Sequence, residues 1–313
     1  MSERELRKWV SQLGRLSREE RAALKAEIAA LESSEAGLQV IEARGGLSCP
    51  HCAAGHVTRN GHANGLQRYR CRDCGKTFNA LTGSALARLH QRGKWVDQAA
   101  ALAEGHTLRQ VARQLNIALS TAHRWRHRFL RQPSVERVAA LQGIAEADET
   151  YFLHSRKGQR HLHRPPRQRG GKASTRGLAP DLVPVLVARD RAGQTANLIL
   201  PSTRATDMAS ALRPLLPTDT ILCTDGSSAL AAAARSLGVE HHAINVAAGC
   251  RVSGAWHIQN VNAFDSRLRL WMHRFKGIAT DYLAHYLGWF RALDRSANLT
   301  SNPALFLTLA LQT

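Results

Sequence analysis

Three things are scarce in this chain of 313 residues. Long apolar runs come first: none approaches the roughly 20 residues that a membrane-spanning helix needs. The tail ALFLTLAL (304–311) is too short to span and is expected to pack as a last helix. The opening MSERELRKW lacks the apolar stretch of a secretory leader, so a cytoplasmic protein is expected. Acid comes second: 24 Asp and Glu stand against 43 Lys and Arg, a formal charge of +19. Surfaces charged only for solubility mix both signs, so this surplus points to a polyanionic partner, nucleic acid. Spare cysteine comes third. Four of the six cysteines form two C-x-x-C pairs, which argues for bound metal in a reducing cytosol over a disulfide framework.

What is present is modular, with length for one sizeable core and small accessory domains. Residues 1–44 read as helical; Ser17 followed by Glu20 resembles a capping box and opens a segment with Leu24, Ile28 and Leu31 on one stripe. This region is expected to pack or to pair with a second copy, without chemistry of its own. Gly45-Gly46 breaks it. CPHC and CRDC follow, with eighteen residues between them. Such knuckles place the thiolates of Cys49, Cys52, Cys71 and Cys74 tetrahedrally around one ion, and Zn²⁺ suits soft sulfur. Gly61, Gly65 and Tyr69 suit short hairpin strands, giving a zinc ribbon over 45–82, and Gly75 lets the second knuckle turn sharply. With cysteine at all four positions, no coordination site is left for catalysis, so the zinc is expected to be structural.

Residues 90–132 read as three helices ending in a helix-turn-helix, LRQVARQLNIALSTAHRW. Ala112 is small where the helices cross, Asn116 can take the left-handed turn, Ser120 or Thr121 would cap the last helix, and Ala122 and Trp125 point to the core. His123, Arg124, Arg126, His127 and Arg131 are then expected to face a DNA groove or its phosphates. A linker around Gln132-Pro133-Ser134 leads to the last domain, 140–295, with a tail over 296–313. Its basic stretch 154–177 lacks apolar periodicity and holds Arg156, Lys157 and Arg160, candidates for phosphate-backbone contacts.

In that domain GIAEADETYF, LVPVLVARD, TANLILP, TILCTDG and HHAINV read as strands, with helices over 205–216 and 227–237. Strands first, then alternating helix and strand, predict a mixed sheet with helices packed on it. Asp148 and Asp225 each follow apolar strand residues, which suits two carboxylates meeting at neighbouring strand ends. Paired carboxylates can share hard cations such as Mg²⁺ or Mn²⁺. Two such ions can activate a water or a 3′-hydroxyl and stabilise the leaving oxygen at a phosphodiester. Trp256–Phe275, WHIQNVNAFDSRLRLWMHRF, reads as one helix seated by Val261, Phe264, Leu268 and Trp271. Asn260 and Arg267, seven apart, share a face with Ser266 and Arg274 nearby. Cys223, Cys250, His241 and His242 are assigned no role.

The order of zinc ribbon, helix-turn-helix, ADETYF, CTDG, QNVN-x-x-x-SRL-x-x-W and YLGW resembles the zinc-ribbon insertion-sequence transposases of the DDE superfamily, in an ISXO2-like Asp-Asp-Asn branch. The resemblance spans residues 17 to 295 and implies a multidomain α+β protein with an RNase H-like catalytic domain. It implies two catalytic Mg²⁺ or Mn²⁺ ions on Asp148 and Asp225, with the third position at Asn260, thirty-five residues after Asp225. An amide oxygen brings no charge, so Asn260 is expected as a weak ligand or a positioning group. Arg267 would contact the scissile phosphate, where family members often have Lys. Asp265 sits about 140° around the helix from Asn260, and His257 is the better second polar group. The partners implied are the element's terminal inverted repeats and target DNA, held by a homo-oligomer. Asn260 keeps open one rival, a DNA-binding protein with an inactive RNase H-like domain; a nuclease that cuts without joining is a third possibility.

Overall fold

The structure is a computed structural model that describes residues 2–44, 48–162, 165, 173–175, 179–245, 248–296 and 298–312. The chain divides into two compact units, Met1–Phe129 with Asn298–Thr313, and Leu130–Ala297.

In the first unit, α1 (Glu3–Gln12) and α2 (Arg18–Glu42) both open on a capping box. In the second of these, the Ser17 N–H donates to Glu20 Oε2 at 2.7 Å and the Glu20 N–H donates back to Ser17 Oγ at 3.2 Å. None of the residues of α1 is buried, and α2 buries only Gly37 and Ile41. β1 (Val57–Ala63), β2 (Leu66–Cys71) and β3 (Thr77–Asn79) form an antiparallel ribbon in that order. Asn64-Gly65 closes its first hairpin, both at positive φ (52° and 70°), the twist that two-residue hairpins require. α3 (Trp95–Ala103), α4 (Leu108–Gln114) and α5 (Leu119–Phe129) follow. Gly105 (φ 70°) turns the chain after α3, and Asn116 (φ 48°) takes the left-handed turn expected of it. α5 begins at Leu119, so Ser120 and Thr121 lie inside its first turn and are not its cap. Trp95, Ala99, Leu102, Val111, Trp125 and Phe129 are buried, and the Trp95 and Phe129 rings meet edge to face at 6.1 Å.

The second unit starts with α6 (Arg131–Val135), where a linker was expected. Pro133 and Ser134 are buried on it. β4 (Ile144–Leu153), β5 (Leu182–Asp190), β6 (Thr195–Ile199), β7 (Ile221–Thr224) and β8 (Glu240–Ala243) make one sheet, ordered β6-β5-β4-β7-β8. The first three strands are antiparallel neighbours; β7 and β8 run parallel to β4. This is the mixed sheet that the order of strands and helices predicts, as the resemblance to RNase H-like domains implies. α7 (Ala205–Leu212) and α8 (Ser228–Leu237) contribute to an apolar core with Ala145, Ala147, Leu186 and Ala188 of the sheet. Side chains alternate along a strand, so Glu146, Asp148 and Thr150 project from the opposite face of β4.

That face meets α9 (Gln259–His273). The predicted helix from Trp256 is shorter than expected, because β9 (Val252–Ser253) and β10 (Trp256–His257) form a small hairpin before it. Gly254 at φ 61° makes that turn; a two-residue hairpin turn needs a residue that tolerates positive φ. α10 (Leu283–Arg295) packs its aromatic face on α9, with Trp271 and Trp289 perpendicular at 4.8 Å. Gly288 of the YLGW motif lets α6 approach: a Cβ there would sit 2.2 Å from the Pro133 carbonyl oxygen. α11 (Asn298–Ser301) and α12 (Pro303–Leu311) return to the first unit, where α12 packs on α2, α3 and α5 and buries Phe306, Leu307 and Leu311. Residues expected to form a separate tail thus complete the N-terminal core. Among the described residues no helix is long and apolar enough to cross a membrane.

Candidate metal centres and nucleic-acid interface

The two knuckles bring Cys49, Cys52, Cys71 and Cys74 together, with one sulfur of each within 4.8 Å of the others. Cys49 and Cys74 Sγ are 3.7 Å apart, and Cys52 and Cys71 Sγ 3.6 Å. With metal–sulfur bonds of about 2.3 Å, the edge of a tetrahedron is about 3.8 Å. The four sulfurs therefore fit one tetrahedral ion. Backbone N–H groups of His51 and Cys74 point at Cys49 and Cys71 Sγ (3.4 and 3.5 Å), and positive φ at Ala53 and Gly75 turns both knuckles.

On α5, Arg124 is exposed and His123 and His127 are half-buried, their rings 4.6 Å apart. Burial, and secondly the charge of Arg126, lower the His123 pKa. Arg126 itself corrects the expectation of an exposed face. It is 1% exposed and donates to the His106 carbonyl at 2.6 Å. Ala122, Trp125, Arg126 and Phe129 make the i, i+3, i+4, i+7 stripe, which puts residue 126 on the buried side. Arg131 is exposed, but it stands on α6 beyond the end of α5. After β4, Arg156, Lys157 and Arg160 are exposed. Lys157 Nζ is engaged by the carbonyls of Phe275 (3.0 Å) and Gly277 (2.7 Å) and so closes the chain leaving α9. Residues 163, 164, 166–172 and 176–178 of the basic stretch lie outside the described residues.

The carboxylates converge because of strand register. Ala147 pairs with Thr224, the last residue of β7, so Asp148 and Asp225 are the next residues on two parallel neighbours. Asp148, Glu149 and Asp225 each offer an oxygen within 4.8 Å of the others. Asp148 Oδ1 accepts the Glu149 N–H at 2.8 Å. Asp225 Oδ1 accepts the Ser227 N–H at 2.9 Å across Gly226, whose φ of 89° a side chain would resist. Burial and crowding shift the pKa values of two of these acids. Burial pushes Asp148 up to about 6, against the Glu149 N–H; the charges of Asp225 and Asp265 add to the rise, and Arg269 offsets it. Burial, then Asp148 and Asp225, push Glu149 up to about 7. Burial, then Glu149, push Tyr151 up to about 12. Three crowded oxygen donors, two of them reluctant to ionise, suit a hard divalent cation.

α9 runs along β4 in step with it. Asn260 Nδ2 donates to Glu146 Oε1 at 2.9 Å. Asp265 acts electrostatically on Asp148, and Arg269 donates to Thr150 Oγ1. The helix advances about 7.5 Å over five residues, close to the about 7 Å of two strand residues. Asn260 and Asp265 are about 140° apart on the helix and flank the buried stripe of Val261, Phe264 and Leu268, so both reach the sheet. The charge of Asp265 is therefore felt at Asp148, although its angle from Asn260 argued against it, while the converging oxygens are those of Asp148, Glu149 and Asp225. Its Oδ2 accepts from Arg269 Nε at 2.7 Å, while buried Oδ1 has no hydrogen-bond partner among the described residues.

The other predicted residues of α9 lie elsewhere. Asn260 is not among the converging carboxylates; it and His257 surround Glu146. Glu146 is fully buried, with His257 Nδ1 3.3 Å and Arg191 Nη1 3.1 Å from Oε1, and its Oε2 accepts the Val261 N–H at 2.9 Å. Arg267 pairs with Asp294 of α10 at 2.7 Å, whose second oxygen takes Arg189, also at 2.7 Å. Sequence reasoning missed Glu149 and Asp265 as site groups and Glu146 as a hub. The ADE run carried part of the signal, but only the register of β7 and the placement of α9 reveal which acids meet.

A model of the ISXO2-like transposase domain matches residues 140–291, and a homeodomain-like domain model matches residues 87–144. An uncharacterized protein in the transposable element ISH50 of Halobacterium salinarum is 30% identical over 261 residues, covering 81% of this chain and 87% of that protein. Among solved structures, a pre-cleavage Mos1 transpososome is 13% identical over 70% of this chain and 79% of that one, with a TM-score of 0.20. A simian T-cell lymphotropic virus intasome in complex with PP2A regulatory subunit B56 gamma is 14% identical over 50% of this chain and 49% of that one, with a TM-score of 0.28. Scores this low bear on neither fold nor function.

Proposed function

This chain belongs to the ISXO2-like family of DNA transposases, and we propose that it cleaves the phosphodiester at each end of its insertion sequence and joins the freed 3′-hydroxyls to target DNA. The observation that carries this reading is the convergence of Asp148 and Glu149, midway along β4, with Asp225 just past the end of β7. Asp148 and Asp225 are the proposed holders of Mg²⁺ or Mn²⁺, with Glu149 beside them and Asp265 behind Asp148. When bound, a pair of such cations supplies an activated water or 3′-hydroxyl and stabilises the departing oxygen.

The chain's own residues do the rest. Hydrogen bonds from the Glu149 and Ser227 N–H groups fix the orientation of Asp148 and Asp225. Arg156 and Arg160, in the segment following β4, are proposed to hold the DNA backbone near the carboxylates. Arg124, with His123 and His127, is the proposed contact of α5 with the terminal repeats. The four cysteines are proposed to hold a structural Zn²⁺ that fixes the ribbon. Both element ends must be held together, so a homo-oligomer is proposed. The exposed apolar stripe of Leu6, Trp9 and Val10 on α1, with Leu13 just beyond it, supports self-association.

Purified protein incubated with Mg²⁺ and DNA carrying the element's ends tests the reading. Metal-dependent cleavage and joining are expected, and Asp225→Ala abolishes both. Cleavage without joining would favour the nuclease. Specific binding with no cleavage by either protein would leave a DNA-binding protein with an inactive domain.

A further inference from the structure

We propose that Asn260 serves Glu146 and not a cation: Asn260, His257 and Arg191 close around Glu146 into a clasp that sets the register of α9 against β4.

Glu146 has no exposed surface and presents its carboxylate to four groups. Oε1 takes Asn260 Nδ2 at 2.9 Å, with Arg191 Nη1 at 3.1 Å and His257 Nδ1 at 3.3 Å. Oε2 takes the backbone N–H of Val261 at 2.9 Å. An ionised carboxylate in so dry a place is tolerated only with such company. The Val261 N–H is one of the first-turn donors that a helix leaves unsatisfied, so Glu146 caps α9 from a neighbouring strand. Asn260, as an amide, is the side chain that can donate to Glu146 from that turn without adding charge. A carboxylate at position 260 would meet Glu146 as a like charge.

The clasp is also a ruler. It pins the start of α9 to residue 146 of β4, and the helix and the strand advance in step from there, which keeps the charge of Asp265 within electrostatic range of Asp148. Arg269 then reaches Thr150. A helix free to slide by one turn would move about 5.4 Å and shift the charge of Asp265 relative to Asp148. Glu146, Asn260, His257 and Arg191 are thus positioning residues. The clasp stands on its own contacts; its consequence for catalysis rests on the proposed carboxylate site.

Two readouts test it: thermal unfolding in chelator without DNA, and Mn²⁺ binding followed by electron paramagnetic resonance. The variants are Asn260→Asp, Glu146→Gln and the double exchange. In chelator, Asn260→Asp is expected to lower Tm by about 5 °C. The double exchange restores at least half of that loss, because the amide on the strand can donate to the carboxylate on the helix. Mn²⁺ affinity is expected to fall about threefold in Asn260→Asp and to recover in the double variant. A ligand at position 260 behaves in the opposite way: Asn260→Asp would keep its Tm and bind Mn²⁺ about tenfold more tightly, and that result overturns the proposal. A double variant no more stable than Asn260→Asp overturns it as well. Should Asn260→Asp not fold, a folded double variant supports the clasp and an unfolded one refutes it. If the wild type binds no Mn²⁺, the carboxylate site fails while the Tm pattern still decides the clasp.

Discussion

The two ligand clusters of this molecule are opposites. The four cysteines form a closed set in which every sulfur belongs to the tetrahedron and two of the four are buried. The carboxylates form an open set where the end of β7 meets the middle of β4, and burial and mutual repulsion hold two of them above their ordinary range. The first arrangement gains stability by binding an ion. The second costs stability until it binds one, which suits a site that works on something brought to it. Removing a ligand should therefore unfold the first site and relax the second.

The largest expected effect follows from emptying the closed site. Strong chelation or Cys71→Ala is expected to melt the ribbon, because structural zinc contributes on the order of 10 kcal/mol to small metal domains. Circular dichroism and proteolysis around residues 49–79 read the outcome, and a ribbon that keeps its protection without metal would break the comparison.

At the open site, Asp225→Asn should reduce cleavage by about a thousandfold or more, near 4 kcal/mol of barrier. Its Tm in chelator should stay level or rise by about 2 °C, as one like charge is removed. A large fall in Tm would show that the acids hold the fold together.

A pH series sharpens the contrast. Asp148 at about 6 and Glu149 at about 7 are raised, so a cation must displace protons in acid. Mn²⁺ affinity should fall about tenfold per pH unit below 6. Without a cation the sign reverses. Between about 4 and 7 the folded site binds more protons than the unfolded chain, so stability from these groups decreases as pH rises through that window. The slope should be shallower in Asp225→Asn, and identical slopes in the two proteins would contradict the coupling.

The smallest effects lie on α5, where neighbouring arginines should part company. Arg124→Ala should weaken DNA binding and lower the salt slope by about 1, with Tm unchanged. Arg126→Ala should lower Tm by several degrees, because it strips a buried donor from the His106 carbonyl. Equal losses of DNA affinity with equal stability would return Arg126 to the surface.

The same contrast explains what the sequence could reveal. Cysteine knuckles are local: C-x-x-C spacing fixes ligand geometry within four residues, so the ribbon, its glycines and its four sulfur ligands were legible. So were the capping box at Ser17, the left-handed turn at Asn116, the strand carrying Asp148 and the one leading into Asp225, all written in short-range patterns. The site on β4 and α9 is tertiary. That Glu149 joins Asp148 depends on where β7 stops. That the charge of Asp265 is felt at Asp148, and Asn260 goes to Glu146, depends on which side of the buried stripe each residue stands and on the match of helix rise to strand rise. Arg126 was misplaced for a simpler reason. Its charge suggested solvent, while its position on the stripe of Ala122, Trp125 and Phe129 placed it inside. The end of the chain shows the same limit, since an apolar tail announces burial without naming the core that receives it.

Mapping the cation directly tests the central claim, that the carboxylates of Asp148, Glu149 and Asp225 are the metal site. Fe²⁺ in place of Mg²⁺, with ascorbate and peroxide, cuts the backbone near the bound ion. Cuts at residues 148–149 and 225, suppressed by excess Mg²⁺ and absent in Asp225→Asn, are the predicted result. Cuts confined to other segments, or the same pattern in Asp225→Asn, would contradict it.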